Sequence, residues 1–528
     1  MAAAIADGVG GGGNEEQDDS DDNSIVNKNP LLIDVVLRKV FDCLPQDNLK
    51  ICRQVNLLWN NIADVSLRQK CSHISFNNDN YWTNMANHGI EEMVQFIQCA
   101  KASISFPFVK FDLGTSLIKL PPDELILTDF LETVCQQTTE LTFRDEWGQQ
   151  LYKNGPPAEL RFPVLEVFRI HFLQPMCNDE DISCNFQFVT NVLEHAPALK
   201  RLILVDHNGM DDGKVVTCFI DSIEKANAKK IVRLEIEAQI ESHHLIQLSS
   251  MGLKLKHLYL DFWGSLINDQ SLKLFLTSQS SNLEHFKIAD FAMSSDFVVD
   301  FPCMKNLKSL MIKGSLLGRI CISFPNISYE KQFPVLKRLS FSNAMDEWDE
   351  FLKYGIKPVD TVEELKLPAD FADAFCLQHA ARIFPKIRKL EIPALLNLAC
   401  IVYDMMPNIE ELILNTKYID GVDDIITGLS IEVCEEVRMF PEPMFNTVER
   451  DHMRLITTKP ISCLERLTIL RLKCKRQTDP VELTDVSCRL VLLKMKALKC
   501  LDLWGRRPAP RVTASVLLAM KQKFTVLC

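Results

Sequence analysis

Cysteine and histidine are the residue types through which this chain could most readily perform nucleophilic or metal chemistry. Its 528 residues include 18 cysteines and 11 histidines. A zinc site or a redox pair needs such residues at short spacings, Cys-x-x-Cys or His-Glu-x-x-His, because two ligands must come from one turn or one helix face. Neither spacing occurs in the sequence. We therefore expect reduced, mostly buried thiols in an intracellular protein, and no metal site.

The other motifs of catalytic or cofactor chemistry are weak or missing. Gly8, Gly10 and Gly13 satisfy G-x-G-x-x-G, but the acidic run "EEQDDSDDN" that follows would repel a phosphate. Neither the nucleophile elbow G-x-S-x-G nor a Walker loop is present. His171 and the pair His243-His244 are expected on helices or loops without a metal. The sequence thus predicts a chain without catalytic residues and without a cofactor.

Net charge and hydropathy limit the classes of partner that this chain can be expected to bind. The formal net charge is -12, which argues against a nucleic-acid-binding protein. No apolar run approaches the roughly 20 residues that a membrane-spanning helix needs. The first residues, "MAAAIADGVGGGG", lack the basic and apolar regions of a secretory signal. We expect no nucleic acid and no membrane as partners, and a cytoplasmic and/or nuclear location.

From about residue 100 onward the chain repeats one unit, apolar-x-x-apolar-x-apolar. Copies begin at Leu165, Leu199, Ile231, Leu255, Leu283, Leu307, Leu336, Val362, Ile387, Ile409, Leu467 and Leu498. The starts from 165 to 409 lie 22 to 34 residues apart, and weaker copies start near Cys71, Phe106 and Thr138. The step from 409 to 467 is 58 residues, so it holds either an insertion, near 415–463, or an unrecognised repeat.

Each unit combines a strand signal with a helix signal. The alternation at the end of the unit is typical of a strand, and segments such as "FVTNVLEHAP" between units have helical spacing. One short strand and one helix every 22 to 34 residues predict an α/β leucine-rich-repeat solenoid over 69–528. Such units bury their apolar faces by stacking, with the strands in a parallel concave sheet and a helical or irregular convex side.

The first 68 residues differ from the repeats. Residues 1–28 form a Gly-rich acidic tail that should be disordered. Residues 29–68 carry two apolar stripes at helical spacing, separated by Leu44-Pro45. They predict a small all-α packet of two or three helices, with too little core to stand firmly alone.

At 29–68 the sequence "LIDVVLRKVFDCLPQDNLKICRQVNLLW" resembles an F-box. The family pattern has an amphipathic helix, a Leu-Pro-like turn, and then a leucine, a valine and a tryptophan at spacings that this chain keeps. It departs from the pattern at Ile33, where the family usually has proline. The residues that the resemblance implies for adaptor binding are Leu32, Ile33, Val36, Leu37, Val40, Phe41, Leu44, Pro45, Leu49, Val55 and Trp59.

An F-box followed by leucine-rich repeats implies a substrate-recognition subunit of a Skp/cullin/F-box ubiquitin ligase. The F-box would dock onto the Skp adaptor, which holds the cullin and RING subunits, and the repeats would bind a protein substrate for ubiquitination. The chain itself would be non-catalytic. Two alternatives stay open: a leucine-rich-repeat interaction scaffold whose first helices only cap the array, and an enzyme of unrecognised type.

The positions between the repeat leucines are expected to point to the concave side, where a protein substrate would bind. A face that mixes charged and aromatic side chains suits a protein partner. The predicted substrate-binding residues are Arg233, His257, Tyr259, Asp261, Trp263, His285, Lys287 and Trp504.

Overall fold

The structure is a computed structural model of the chain. It describes residues 34–44, 46–52, 54–70, 73–76, 88–102, 108–114, 121–145, 160–172, 179–206, 213–262, 267–289, 297–298, 300–313, 322–323, 327–342, 351–352, 356–369, 371–416, 422–430, 432–434, 458–474, 483–503 and 512–527. The predicted tail at 1–28 lies outside these ranges. The chain divides into two compact units, with the boundary between Ser72 and His73.

The first unit consists of helices in its described residues. These are α1 (Asp34–Cys43), α2 (Gln46–Cys52) and α3 (Leu57–Lys70). Helix α3 begins after Asn56, whose Oδ1 accepts the backbone N–H of Trp59 at 2.9 Å. This bond satisfies one of the free donors at the helix start, as an N-cap should.

The second unit is built on one open sheet of sixteen strands, as far as its residues are described, in which every neighbouring pair is parallel. Its strands are, in spatial order, β1 (His73–Phe76), β2 (Lys110–Gly114), β3 (Glu140–Asp145), β4 (Val167–Phe172), β5 (Arg201–Asp206), β6 (Arg233–Ala238), β7 (His257–Phe262), β8 (His285–Ala289), β10 (Ser309–Lys313), β12 (Arg338–Ser342), β13 (Glu364–Lys366), β14 (Lys389–Pro393), β15 (Glu411–Thr416), β16 (Ile469–Cys474), β17 (Cys500–Asp502) and β18 (Thr525–Leu527). Two-residue strands β9 (Phe297–Val298) and β11 (Ile322–Ser323) pair with each other in a separate sheet. Spatial order follows chain order, which is the topology of a solenoid.

Helices connect most of the strands. They are α4 (His88–Ala102), α5 (Pro121–Val134), α6 (Asp179–His195), α7 (Lys214–Lys225), α8 (Ser242–Ser250), α9 (Asp269–Gln279), α10 (Tyr329–Gln332), α11 (Ala374–Ile383), α12 (Leu396–Met405), α13 (Val422–Thr427), α14 (Asp485–Leu490) and α15 (Ala514–Lys523), with 3-10 turns at Ile461–Cys463 and Leu492–Lys494. Their apolar residues and one face of the sheet share a continuous core. None of the helices in the described ranges is long and apolar enough to cross a bilayer.

The repeat pattern fixes where the strands start. Each of the twelve repeat copies is followed, two residues after its first apolar residue, by the first residue of a strand. In β4 the burial alternates strictly, with Phe168, Ile170 and Phe172 buried and the residues between them part-exposed. The predicted fold class, an α/β leucine-rich-repeat solenoid, is thereby confirmed.

Three features of the sheet add to the sequence prediction. Strand β18 follows no recognised repeat copy, and the β9–β11 pair was not foreseen. Strand β15 pairs directly with β16 from Glu411 opposite Ile469 onward. The 58-residue step between these two repeat copies therefore adds no strand to the large sheet between them.

Candidate functional site

The first unit has a small core that fixes its helices. Leu37 and Phe41 of α1, Leu49 of α2, and Ile62 and Ala63 of α3 are buried. The ring of Trp59 is half-buried and meets that of Phe41 edge-on, with 5.3 Å between centroids and 75° between planes. Aromatic pairs favour this geometry because the positive ring edge faces the negative ring face.

Large apolar side chains remain on the surface of this unit. At the junction of α2 and α3, Ile51, Val55 and Leu57 are 64%, 56% and 76% exposed, and Leu58 is exposed as well. Val40 on α1 and Val65 on α3 are also exposed. We call Ile51, Val55, Leu57 and Leu58 the junction patch. An apolar patch on so small a unit is typical of a surface that a partner covers.

The structure sorts the predicted adaptor-binding residues into two groups. Leu37, Phe41 and Leu49 lie in the core, where they can position a docking surface but offer no surface themselves. Val40 and Val55 are exposed, and Leu44 and Trp59 are half-buried. Leu32, Ile33, Pro45 and the side chain of Val36 lie outside the described residues.

The sequence reasoning passed over four exposed apolar residues of this unit. They are Ile51, Leu57, Leu58 and Val65. A usable signal was present in Leu57-Leu58, an apolar pair that precedes Trp59 and departs from the helical stripe through Cys52, Val55 and Trp59.

In the second unit, the second and fourth residues of β6, β7 and β8 belong to the core that the helices share. The first, third and fifth strand positions alternate with them and form what we call the open face. Parallel register brings equivalent positions side by side, so that His257 pairs with His285 and Tyr259 with Lys287. Six of the predicted substrate-binding residues meet here on β6, β7 and β8. They are Arg233, His257, Tyr259, Asp261, His285 and Lys287. Trp263 and Trp504 lie outside the described residues.

Tyr259 is at the centre of this group and is less accessible than the sequence predicted. It is 9% exposed, and its hydroxyl donates to Oδ2 of Asp261 at 2.7 Å. Lys287 Nζ lies 3.5 Å from the ring centroid, a cation–π contact that covers the ring. Burial and the bond to Asp261 raise the pKa of Tyr259, and burial lowers that of Lys287.

Asp261 was also predicted to be exposed, and it is 3% exposed. Lys313 Nζ lies 3.7 Å from its Oδ2, while Oδ1 is buried without a hydrogen-bond partner. Asp261 is buried because neighbouring strands are only about 4.8 Å apart, so that long side chains on one strand cover shorter side chains on the next. Tyr259 and Asp261 thus form a buried polar pair under a lysine side chain.

Histidines and arginines occupy the amino-terminal side of the open face. The rings of His257 and His285 stack with 4.4 Å between centroids and 4° between planes, and Nη2 of Arg338 lies 3.3 Å from Nδ1 of His285. Burial lowers the pKa of both histidines. Arg233 lowers that of His257 further, and His257 and Arg338 lower that of His285. Neutral rings are favoured because burial disfavours a charged ring, and the neighbouring cations disfavour it further.

Farther along the sheet, the charges of the open face neutralise one another. Glu391 lies 3.1 Å from Lys366 and 3.4 Å from Lys473. Glu411 lies 3.2 Å from Lys389 and 3.0 Å from Arg471. Charges that are already paired within the sheet have less to offer a partner.

Metal and redox sites were not expected from the sequence. In the described part of the chain, no group of three or more His, Cys, Asp or Glu side chains could hold a metal ion. The cysteines described there are free thiols.

The architecture defines the class of the second unit, an open leucine-rich-repeat solenoid, preceded in the chain by a small helical unit. No protein-family profile matches the sequence, and no curated protein matches it. One similar solved structure is described as "Crystal structure of Rad7 and Elc1 complex in yeast". It is 12% identical, covers 93% of this chain and 92% of that chain, and gives a TM-score of 0.37. At that level the likeness supports no conclusion about partners or activity.

Proposed function

We propose that this chain is the substrate-recognition subunit of a cullin–RING ubiquitin ligase of the Skp/cullin/F-box type. Its first unit would dock onto a Skp adaptor, and its repeats would hold a protein substrate. The observation that carries this proposal is the exposed junction patch on a helical unit whose sequence resembles an F-box. The chain itself would be non-catalytic.

The energetics of the first unit support docking. Its core includes five buried side chains in the described residues, while the four side chains of the junction patch remain exposed. Burying one leucine-sized side chain contributes about 1.5–3 kcal/mol. Covering the patch with an adaptor would therefore stabilise both the complex and the packet.

The second unit supports the substrate role through its long sheet. A solenoid offers a continuous surface on which side chains of many strands can contact one partner. A ligase subunit of this kind acts by holding the substrate near the conjugating enzyme, because tethering raises the effective concentration of the reacting groups. It needs no nucleophile of its own.

The test is co-elution of the purified full chain with a Skp adaptor, with Leu57→Asp as the probe. Leu57 is the first residue of α3, where an aspartate is compatible with the helix. We expect at least a tenfold loss of adaptor affinity. Leu125→Asp is the matched control, because Leu125 on α5 is 73% exposed but belongs to the second unit. It should leave affinity within twofold of the wild type.

Two results would overturn the proposal. One is a folded wild-type chain that fails to bind the adaptor, which would leave the interaction scaffold as the better account. The other is normal binding by Leu57→Asp together with an unchanged helical signal. In that case the junction patch would not be the docking surface.

A further inference from the structure

The amino-terminal edge of the sheet carries a concentration of positive charge. This edge is formed by the first residue of each of six neighbouring strands and by the residue before it. The strands are β5, β6, β7, β8, β10 and β12. Seven of these twelve positions hold Lys or Arg: Lys200, Arg201, Arg233, Lys256, Lys308, Lys337 and Arg338. One is acidic, Glu284, and two are His257 and His285. We call these positions the basic strip. It stands out in a chain whose net charge is -12.

The strip ends sharply on both sides. At the corresponding positions of β13, β14 and β15, the residues are Glu363, Glu364, Arg388, Lys389, Glu410 and Glu411, so acids outnumber cations. On β3 and β4, the charged residues at these positions are Glu140 and Glu166. At these positions cations therefore outnumber acids across the six strands of the strip, and they do not on the strands just beside it.

Among the described residues, the carboxylates within and beside the strip are fewer than its seven cations, and Glu166 pairs with Lys200 at 2.8 Å. Oε1 of Glu235 is shared by Arg201 at 2.8 Å and Arg233 at 2.5 Å. Glu284 is likewise shared by Lys256 at 3.2 Å and Lys308 at 2.7 Å. These two lysines lower the pKa of Glu284 to about 2, as expected for a carboxylate in a positive field.

The far end of the strip has cations that lack an acidic partner among the residues that the structure describes. Among the described residues, neither Lys337 nor Arg338 pairs with a carboxylate, and Arg338 contacts His285 instead. Both side chains are exposed. The stacked His257 and His285 lie between these cations and the arginines of β5 and β6, and their part-exposed rings can donate hydrogen bonds to an acceptor.

The dimensions of the strip fit an extended peptide. Six strands spaced about 4.8 Å apart span roughly 24 Å, the length of about seven extended residues. We propose that the basic strip binds an acidic segment of a protein partner, an extended stretch with several Asp or Glu side chains. The identification of this partner as the ligase substrate rests on the proposed function. The binding itself does not depend on the adaptor.

The experiment uses the full chain and a labelled octapeptide of glutamate, with an octapeptide of glutamine as the uncharged control. We expect the glutamate peptide to bind at least tenfold more tightly, and its affinity to fall as salt rises from 50 to 300 mM. Equal binding of the two peptides would overturn the proposal. Tighter binding of a single-stranded oligonucleotide than of the glutamate peptide would also overturn it, by assigning the strip to nucleic acid.

The variant that tests the location is Lys337→Glu/Arg338→Glu. It should weaken glutamate-peptide binding at least tenfold and leave adaptor binding unchanged. The matched control is Lys386→Glu/Arg388→Glu, a neighbouring pair of exposed cations outside the strip. It should stay within twofold of the wild type. Equal losses in the two variants would show a general charge effect and refute the strip as the site.

A third experiment tests whether the strip is occupied by a partner or by this chain's own acidic segment, "EEQDDSDD" at 15–22. Deleting residues 1–28 should change glutamate-peptide affinity by less than fivefold. Binding that appears only after the deletion would overturn the commitment to a partner and assign the strip to the chain's own tail. Failure of adaptor binding with retained peptide binding would refute the proposed function but not this inference.

Discussion

Nε2 of His244 lies 2.7 Å from Oγ1 of Thr217, which joins helix α8 to helix α7. On the other side of the ring, Nδ1 lies 3.0 Å from the backbone N of Glu241 and accepts its hydrogen. Nε2 must then carry the proton and donate it to Thr217, whose hydroxyl donates to the carbonyl of Gly213. A proton on Nδ1 would face the backbone N–H of Glu241, so that two donors would oppose each other. The buried ring is therefore held neutral.

This histidine predicts acid sensitivity of the solenoid. Burial, followed by the neighbouring His243, lowers the pKa of His244 from 6.5 to about 4. The unfolded chain binds the proton at higher pH than the folded chain does. Stability is therefore fully present above pH 6.5 and falls as the pH drops toward 4, by about 3 kcal/mol in all. Urea midpoints at pH 7.5 and 4.5 measure this loss.

His244→Gln is the informative variant, because glutamine keeps polar contacts but does not titrate. We expect lower stability at pH 7.5 and a smaller further loss at pH 4.5 than in the wild type. His243→Gln is the control, since His243 is exposed on the same helix. Because His243 lowers the pKa of His244 less than burial does, this variant should keep most of the wild-type dependence on pH. The same acid loss in His244→Gln as in the wild type would contradict the assignment.

A second prediction separates the core of the first unit from its surface. Phe41 is buried and Trp59 is half-buried, so Phe41→Ala should destabilise the unit by about 3–5 kcal/mol and Trp59→Ala by less. Both should reduce adaptor binding by unfolding the packet. Hydrogen exchange in peptides from 34–70 of the full chain would show faster exchange in both variants. Leu57→Asp should lose binding without faster exchange, and a wild-type exchange pattern in Phe41→Ala would contradict the packing.

The repeat strands could be predicted because their signal is local and periodic. Leu258 and Leu260 of β7 face the core, which requires two apolar residues at fixed spacing whatever the neighbouring repeats contain. The last strand, Thr525–Leu527, escaped prediction because it lacks the apolar residue pattern that precedes the others. Its place in the sheet comes from pairing with β17, a contact that no local pattern encodes.

The chemistry of the open face could be predicted only in part. The position of Tyr259 on that face follows from its place between two leucines, but its burial depends on Lys287, which comes from the next strand. The basic strip likewise arises from pairs of positions on strands whose first residues are 24 to 32 positions apart in the chain. The sequence analysis singled out Arg233, His257 and His285 of this strip, but the neighbouring lysines join them only through the pairing of the strands.

A third prediction concerns the buried polar pair of Tyr259 and Asp261. Tyr259→Phe removes the hydroxyl that donates to Oδ2 of Asp261, whose Oδ1 already has no partner. A buried carboxylate that loses a donor costs about 1–3 kcal/mol. We therefore expect a lower melting temperature for Tyr259→Phe, where the sequence alone predicted an exposed recognition residue.

A double-mutant cycle with Asp261→Ala measures the coupling. The loss in Tyr259→Phe/Asp261→Ala should be smaller than the sum of the two single losses, by about 1 kcal/mol, because the bond can be lost only once. Strictly additive losses would mean that the hydroxyl and the carboxylate do not interact. An unchanged melting temperature in Tyr259→Phe would return Tyr259 to the role of a recognition residue.

The last prediction uses two glycines with the same backbone conformation and different surroundings. Gly252 and Gly428 have φ values of +68° and +73°. A Cβ on Gly252 would meet nothing within 4 Å, whereas one on Gly428 would lie 2.2 Å from the carbonyl oxygen of Thr458. Backbone N–H of Thr458 also donates to the carbonyl of Gly428 at 3.0 Å. This contact joins two points within the segment between β15 and β16, so neither backbone can move freely.

Gly252→Ala should therefore cost only the left-handed strain of about 1–2 kcal/mol, whereas Gly428→Ala should cost clearly more. The excess arises because the methyl group must push the Thr458 backbone away and break its hydrogen bond. Urea midpoints of the two variants give the comparison, with hydrogen exchange at 458–474 as the local readout. Equal losses in the two variants would show that the close approach of Gly428 to Thr458 does not hold this segment in place.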